Sequence, residues 1–438
     1  MYNLFRLDNG LRIVVENIDH VNSVSLGLWV ENGSRNENAI NNGISHFIEH
    51  MFFKGTSSRT SKEIAESIED VGGQINAFTG KEATCFYTKT LDTHLDLSLE
   101  VLADMLFNSK FDEEDIEKEK GVIVEEINMS EDQPEDVLSD LHSEAIWGKD
   151  SISMPILGTI ETVRSFTRQQ LLDYISSYYI PENSVISISG KVNINDIERL
   201  VNKYFGNWNS TGKKITSYSA PSLLSNHLFR QKEIEQLHIS LGMQGIEAGS
   251  DDVYPMLLLN NMFGGGAASI LFQKIREELG VCYSIYSYMS SFKNTGVISI
   301  YSGLNPKYST NVIELIKEEV YKFSKFDITN ERLIKLKEQL KGSYILGLES
   351  TSSRMFSNGK SMLLLNRINK PEDIINKIDA VNKDKLHSLL DSVFSKGILN
   401  SAYVGQDIDL TKLIDIIEGD AIAFKNQKSK RIWGFTNA

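Results

Sequence analysis

The sequence repeats one order of predicted elements twice, with the copies about 215 residues apart. In the first copy, hydrophobic periodicity predicts a helix, a strand, a glycine and a helix over 168–179, 184–189, Gly190 and 194–205. The second copy gives the same order over 385–394, 400–404, Gly405 and 410–417. A chain that repeats its elements in this way is expected to fold as two similar halves. Two halves also suit its 438 residues better than one continuous core does.

The boundary between the halves is predicted from a change in composition. Residues 207–225 are rich in Ser, Thr, Lys and Asn, contain Pro221 and show no periodicity, as a linker does. We therefore predict a first half over 1–210, a linker over 211–225 and a second half over 226–438. Each half should be an α/β sandwich, with helices packed on a mainly antiparallel sheet, which makes the whole chain α+β.

The strongest local signal is the run from His46 to His50, in a helical window that follows Gly43. At about 100° per residue, His46, Glu49 and His50 fall on one face of that helix. Two imidazoles one turn apart can bind a tetrahedral Zn²⁺, with the carboxylate beside the open position. The alternative is a solvated polar face. With only 8 His in the chain, the pattern arises by chance in about one chain of this kind in a hundred, so we favour zinc.

A zinc site of this kind needs a third protein ligand, and the predicted acidic helix over 113–128 offers four candidates: Glu117, Glu119, Glu125 and Glu126. Glu119 and Glu126 share a face but lie about 10.5 Å apart along the axis, so we do not expect both to ligate one ion. Spacing alone does not choose among the four. A solvated acidic helix is the ordinary interpretation of such a charge run.

Several segments together resemble the inverted-zinc-motif peptidases, the family of pitrilysin, insulin-degrading enzyme and the mitochondrial processing peptidase. The segments are His46 to His50, Phe53 to Thr56, Asn76 to Thr79 and Glu119 to Glu126. The likeness extends over essentially the whole chain, and the length is that of the bacterial two-domain branch that resembles the processing peptidase. The resemblance implies two homologous halves that form a clamshell, with one zinc ion per chain.

The same resemblance implies a role for each residue of the site. Glu126, which lies 76 residues after His50, would be the third zinc ligand beside His46 and His50. Glu49 would activate a zinc-bound water for attack on a peptide carbonyl and pass its proton to the leaving amine. Glu119 would support the site by orienting a ligating imidazole.

Asn76, Ala77, Phe78 and Thr79 resemble the edge strand that binds an extended substrate as an added strand in this family. Main-chain pairing of that kind suits peptides of varied sequence. Without the resemblance, a buried strand filled by Phe78 would be an equally good interpretation.

The second half is predicted to lack a metal site. A shift of about 210 residues places Met256, Leu259 and Asn260 opposite the three motif residues. The resemblance assigns Arg276 and Tyr283 to substrate, as the pair that holds the carbonyl and the developing oxyanion. Taken alone, they would be an exposed helix residue and a half-buried strand residue.

Composition narrows the function classes. The chain has 45 Lys and Arg against 59 Asp and Glu, a net charge of −14, which disfavours nucleic-acid binding. No signal-like amino terminus and no run of about 18 apolar residues is present, so we expect no export and no membrane insertion. Two cysteines, Cys85 and Cys282, fit a reducing compartment, and we expect a cytoplasmic protein.

We therefore expect a zinc endopeptidase that acts on short or unfolded peptides. The alternative is a non-catalytic peptide-binding or assembly subunit on the same scaffold. Because one chain carries both the zinc motif and the Arg and Tyr pair, we expect a homodimer, with an obligate heterodimer as the less favoured arrangement.

Overall fold

Both halves of the chain contain strands and helices in the computed structural model, which describes residues 2–210, 218–406 and 408–419. The elements of the first half are β1 (Tyr2–Arg6), β2 (Arg12–Asn17), β3 (Ser23–Val30), α1 (Ile44–Phe52), α2 (Ser61–Glu69), β4 (Gln74–Thr79), β5 (Thr84–Leu91), α3 (Leu95–Asn108), α4 (Glu113–Asp132), α5 (Pro134–Trp147), α6 (Ile160–Ser165), α7 (Arg168–Tyr178), β6 (Ser184–Gly190) and α8 (Ile194–Phe205). The elements of the second half are β7 (His227–Gln231), β8 (Leu237–Gln244), α9 (Val253–Phe263), β9 (Ser284–Phe292), β10 (Thr295–Leu304), α10 (Ser309–Ser324), α11 (Asn330–Gly347), α12 (Thr351–Leu365), α13 (Pro371–Asp379), α14 (Lys383–Ser392), β11 (Asn400–Gly405) and α15 (Leu410–Glu418). Residues 211–217 of the predicted linker lie outside the described residues.

The two sheets share one topology. Sheet 1 has the strand order β1-β2-β6-β3-β5-β4, and sheet 2 has the order β7-β11-β8-β10-β9. When β2 to β6 are matched with β7 to β11 in chain order, the two orders coincide. Among the described strands, β2 with β6 and β7 with β11 pair in parallel, while the other neighbours are antiparallel. The predicted fold of two homologous halves with mainly antiparallel sheets is confirmed.

Both faces of sheet 1 are covered by apolar side chains. Alternate residues of β3, Leu26 and Leu28 among them, enter a core that also contains Phe47 of α1. Trp29 points to the opposite face, where it packs with Met355 of α12 in a separate apolar cluster. Sheet 1 is therefore the middle layer of three.

The compact units of the fold are not contiguous in sequence. Among the described residues, unit 1 comprises residues up to 131, 149–219 and 342–374, and unit 2 comprises the remainder. The helix α12 thus belongs to unit 1, where it packs on β3 and β6, and α5 belongs to unit 2, where it packs on β8 and β11. The units differ from the predicted contiguous halves, 1–210 and 226–438, by this exchange. Each exchanged helix covers a sheet face that would otherwise expose apolar residues.

Candidate metal centre

The motif residues lie on the short helix α1, which is held in place by a tight turn at its start and by buried side chains on one face. Helix α1 begins directly after Gly43, which has a φ of +93°, in the left-handed region that favours glycine. A Cβ atom at Gly43 would lie 2.6 Å from the carbonyl oxygen of Leu157, so no larger residue fits there. Phe47 and Ile48 are fully buried in the core of unit 1. Their burial turns the opposite face of α1, which carries the motif, toward α4.

Three ligand atoms converge between α1 and α4. Glu126 Oε2 lies 3.7 Å from His46 Nε2 and 3.6 Å from His50 Nε2. A tetrahedral Zn²⁺ with bonds of about 2.0 to 2.1 Å separates its ligand atoms by about 3.4 Å, close to both distances. Glu126 Oε2 is also buried and has no hydrogen-bond partner among the described residues. The three side chains therefore fit a divalent metal ion.

Glu119 holds one of the two imidazoles in place. Its Oε1 accepts a hydrogen bond from His50 Nδ1 at 2.7 Å, and its Oε2 lies 2.5 Å from Lys54 Nζ. Because Nδ1 of His50 is the donor, Nε2 keeps the lone pair that faces Glu126. The other two candidate acids, Glu117 and Glu125, are exposed on the far side of α4. The structure thus separates the four acids that spacing alone left equivalent.

Lys54 is a residue of the site that our sequence reasoning missed. It follows His50 by four residues but lies beyond the end of α1 at Phe52, so helical spacing does not place it beside the histidines. Its ammonium group neutralises part of the negative charge that Glu119 brings beside the histidines. The contact depends on how Lys54 reaches Glu119 of α4, for which the local sequence pattern carries no signal.

Burial and neighbouring charges set the protonation of these groups. Burial, together with the nearby His50, lowers the pKa of His46 to about 3, so its imidazole is neutral and able to ligate. Burial lowers the pKa of His50, but the hydrogen bond to Glu119 and the charge of Glu119 outweigh burial, so the pKa of His50 is raised overall. Burial also opposes ionisation of Glu119, yet the hydrogen bonds from His50 and Lys54 lower its pKa. Glu119 is therefore an anion paired with two donors.

Glu49 contacts the end of the edge strand. Only 8% exposed, it has a raised pKa because burial outweighs the other influences on its carboxyl group. Thr79 Oγ1 donates a hydrogen bond of 2.5 Å to Glu49 Oε2. Thr79 is the last residue of β4, so the candidate base and the candidate substrate strand are joined directly.

The strand β4 is the outermost strand of sheet 1 and pairs with β5 alone among the described strands. Asn76, Ala77, Phe78 and Thr79 therefore border an unpaired strand edge. Phe78 is 38% exposed and packs edge-on against Trp29, which does not fit the alternative of a buried strand filled by Phe78. Peptide binding at this edge stays a prediction.

Arg276 and Tyr283 lie together in unit 2. The guanidinium of Arg276 lies 4.6 Å from the ring centroid of Phe272 and 5.9 Å from that of Tyr283. Both residues line a cavity of about 510 Å³, beside the glycines 264–266. Tyr283 is 74% exposed, so its hydroxyl group is accessible. Their role toward substrate stays a prediction.

No second metal-binding group is found in the part of the chain that the structure describes. There, three His, Cys, Asp or Glu side chains approach within ligating distance of one another only at His46, His50 and Glu126. Met256, Leu259 and Asn260, predicted to be their counterparts, lie buried in α9. The second half therefore repeats the helix without its ligands.

Comparison with known proteins gives two family matches that together extend over most of the chain. Residues 12–160 match the model described as insulinase, peptidase family M16, and residues 165–340 match the peptidase M16 inactive domain. The uncharacterized zinc protease YmxG of Bacillus subtilis is 45% identical over 399 residues, which cover 90% of this chain and 96% of that protein. An uncharacterized zinc protease of Streptomyces coelicolor is 34% identical over 397 residues, 89% of this chain and 86% of that protein.

Solved structures share the fold. A protease from Helicobacter pylori superposes with a TM-score of 0.85 at 21% identity, over 93% of this chain and 99% of the other. A peptidase M16 inactive domain from Pseudomonas fluorescens gives a TM-score of 0.85 at 16% identity, over 93% of this chain and 98% of the other. At these identities the likeness concerns the fold alone.

Proposed function

The chain belongs to peptidase family M16, and on that premise we propose that it is a zinc-dependent endopeptidase that hydrolyses short or unfolded peptides. The observation that carries the proposal is the convergence of His46, His50 and Glu126, with Glu49 on the same helix. A protein that only bound peptides would have no use for a base beside such a ligand set. The relatives named zinc proteases support the same interpretation.

Each side chain of the site has a chemical role. His46, His50 and Glu126 would hold one Zn²⁺ per chain, which when bound polarises a peptide carbonyl and makes water more acidic. Glu49 takes a proton from the attacking water and delivers it to the leaving amine, a role for which a carboxyl group of raised pKa is suited. Glu119 keeps His50 in the tautomer that ligates through Nε2.

We assign substrate binding to the edge of β4 and to the pair of Arg276 and Tyr283. The free edge of β4 would pair with an extended peptide, whose backbone then lies beside Glu49 because Thr79 joins strand and base. Arg276 and Tyr283 would donate hydrogen bonds to the carbonyl oxygen as negative charge develops on it. A guanidinium and a phenol are both suitable donors for an oxyanion.

We also propose that the enzyme is a cytoplasmic homodimer. A single chain carries the ligand set and the Arg and Tyr pair, so no second kind of subunit is required. Cys85 and Cys282 are both free and buried, as in proteins of reducing compartments. No helix of the described residues has the length and apolar character needed to cross a bilayer. Sedimentation equilibrium tests the dimer directly.

The deciding experiment measures zinc content and peptide cleavage in the wild type, in Glu49→Gln and in Glu125→Gln. We expect about one zinc per chain in all three proteins, because neither change touches a ligand. Cleavage of a quenched peptide pool should fall by about 10² to 10⁴-fold in Glu49→Gln only, the usual contribution of a general base. Glu125 is an exposed acid of α4, one residue before Glu126, and controls for loss of negative charge.

Three results would count against the proposal. Wild-type protein without zinc after metal reconstitution would exclude the metal site. Undiminished cleavage by Glu49→Gln would remove its catalytic role, and binding of peptides without turnover by the wild type would favour the non-catalytic alternative.

A further inference from the structure

Helix α1 is capped by an acid that precedes it by several residues. Its N-cap residue, Gly43, has no side chain that could accept hydrogen bonds from the first turn. Glu37 supplies the missing acceptors. Its Oε2 accepts from the backbone N–H of Gly43 at 2.7 Å, and its Oε1 accepts from the N–H of Ser45 at 2.9 Å. The carboxylate therefore spans the start of the helix with both oxygens.

Glu37 is itself fixed on all sides. It is 4% exposed, and Asn42 Nδ2 donates a further hydrogen bond of 2.9 Å to its Oε2. The same amide group of Asn42 also donates to the carbonyl oxygen of Pro155. Burial raises the pKa of Glu37 overall, while the hydrogen bonds that Gly43, Ser45 and Asn42 donate to its carboxyl group oppose that rise. These donors hold the carboxyl group in one position at the helix N-terminus.

The first turn of α1 is the turn that carries a candidate ligand. His46 follows Ser45 directly, and His50 lies one turn further on. Ligand sites have to be held to within about 0.5 Å and 10 to 20° of their working geometry. A helix of nine residues whose first turn was free to rotate or fray would lose that precision at His46 first.

We propose that Glu37 is a positioning residue for the zinc site, which sets the rotation and register of α1 through its hydrogen bonds to the N-cap residue Gly43 and to Ser45 in the first turn. This inference rests on the proposed function, since it concerns the ligands assigned there. Glu37 touches neither metal nor substrate and acts through Gly43 and Ser45. Its loss should weaken zinc binding by more than the accompanying loss of stability explains.

A matched control distinguishes positioning from plain stabilisation. Thr60 caps α2, a helix that also has nine residues and also belongs to unit 1. Its hydroxyl oxygen accepts from the N–H of Glu63 at 3.3 Å. The variant Thr60→Ala removes a helix cap, as Glu37→Gln does, but from a helix that carries no candidate ligand. Both variants should lower the thermal midpoint.

The experiment titrates Zn²⁺ into metal-free full-length protein against a competing chelator. In Glu37→Gln, an NH₂ group replaces one oxygen and faces a backbone donor, so we expect zinc affinity to fall about ten-fold or more. Thr60→Ala should bind zinc within about two-fold of the wild type, because α2 carries none of the candidate ligands. Equal affinity in Glu37→Gln and wild type would overturn the positioning role and leave the zinc site standing.

The remaining outcomes are also decisive. A wild type that binds no zinc would overturn this inference together with the proposed function. Should Glu37→Gln not fold, Glu37→Asp decides, since it keeps the charge but is one methylene shorter and cannot span both donors. A loss of about three-fold or more in zinc affinity for Glu37→Asp supports the role, whereas wild-type affinity contradicts it.

Discussion

Replacing Gly359 with alanine should destabilise unit 1, because the exchanged helix α12 touches Trp29 at this residue. A Cβ atom on Gly359 would lie 2.1 Å from Trp29 Nε1 and 2.6 Å from its Cδ1. Non-bonded heavy atoms rest at about 3.5 to 4.0 Å, so the indole would have to move by more than about 1 Å. Trp29 is 2% exposed and has edge contacts with Phe78 and Phe356, so little space is open to it.

The size of the effect follows from two opposed terms. Overpacking a filled core costs about 1 to 3 kcal/mol, and this clash, with ring atoms that are boxed in, belongs at the upper end. Alanine in place of glycine within a helix gains about 1 kcal/mol. We therefore expect Gly359→Ala to lower the free energy of unfolding by about 2 kcal/mol. For a unit of this size, that change lowers the melting temperature by about 4 to 8 °C.

Gly342→Ala is the matched control. Gly342 lies inside α11, and a Cβ atom there would meet nothing within 4 Å. Only the higher helix propensity of alanine then matters, and we expect the free energy of unfolding to rise by about 1 kcal/mol. Thermal unfolding followed by far-UV circular dichroism, with tryptophan fluorescence as a second probe, measures both shifts. If Gly359→Ala were as stable as Gly342→Ala, the close packing of α12 on β3 would be wrong.

Two further predictions concern buried ionisable groups. Glu119→Gln should lower zinc affinity by about 10 to 100-fold in a chelator competition, whereas Glu117→Gln, on the exposed side of α4, should not; equal values would contradict the role of Glu119. His142 is buried against sheet 2, and burial lowers its pKa to about 4 from an ordinary 6.5. The folded chain therefore favours the neutral ring, and the stability this confers is complete above pH 6.5 and is lost as the pH falls toward 4. Urea unfolding should show that the free energy of unfolding of the wild type falls by about 2 kcal/mol between pH 7 and pH 5. The fall should be smaller in His142→Gln.

Local patterns were sufficient to predict the helix that carries the motif and the acidic helix beside it. The helical window predicted after Gly43 is α1, and the predicted acidic helix over 113–128 lies within α4. These features depend on residues within one or two turns, which periodicity reports directly. Glu126 is different, because its approach to His50 depends on how α4 packs on α1, and spacing within α4 could not choose it over Glu119. The family resemblance supplied that choice.

Contacts that depend on a single side chain reaching a backbone were also beyond the sequence. Glu37 lies in a polar stretch between β3 and α1, where an acid is ordinarily exposed. Nothing in its local pattern shows that its two oxygens accept hydrogen bonds from Gly43, the N-cap residue of α1, and from Ser45 in the first turn. The absence of a side chain at Gly43 was the only hint, since a helix start without a cap has to find acceptors elsewhere.

The exchange of α5 and α12 explains why the repeat predicted two similar halves with mainly antiparallel sheets but not the limits of the compact units. An amphipathic pattern shows that a helix has an apolar face, and it does not show which sheet receives that face. The two sheets have the same strand order, so strand order alone does not show which sheet α12 covers. The choice is made by individual contacts: Gly359 against Trp29, and Asn358, whose amide donates to the buried Glu16 of β2 at 2.8 Å. Such pairs are visible only once the chain is folded, which is why Gly359→Ala tests the exchange more directly than any change at the motif.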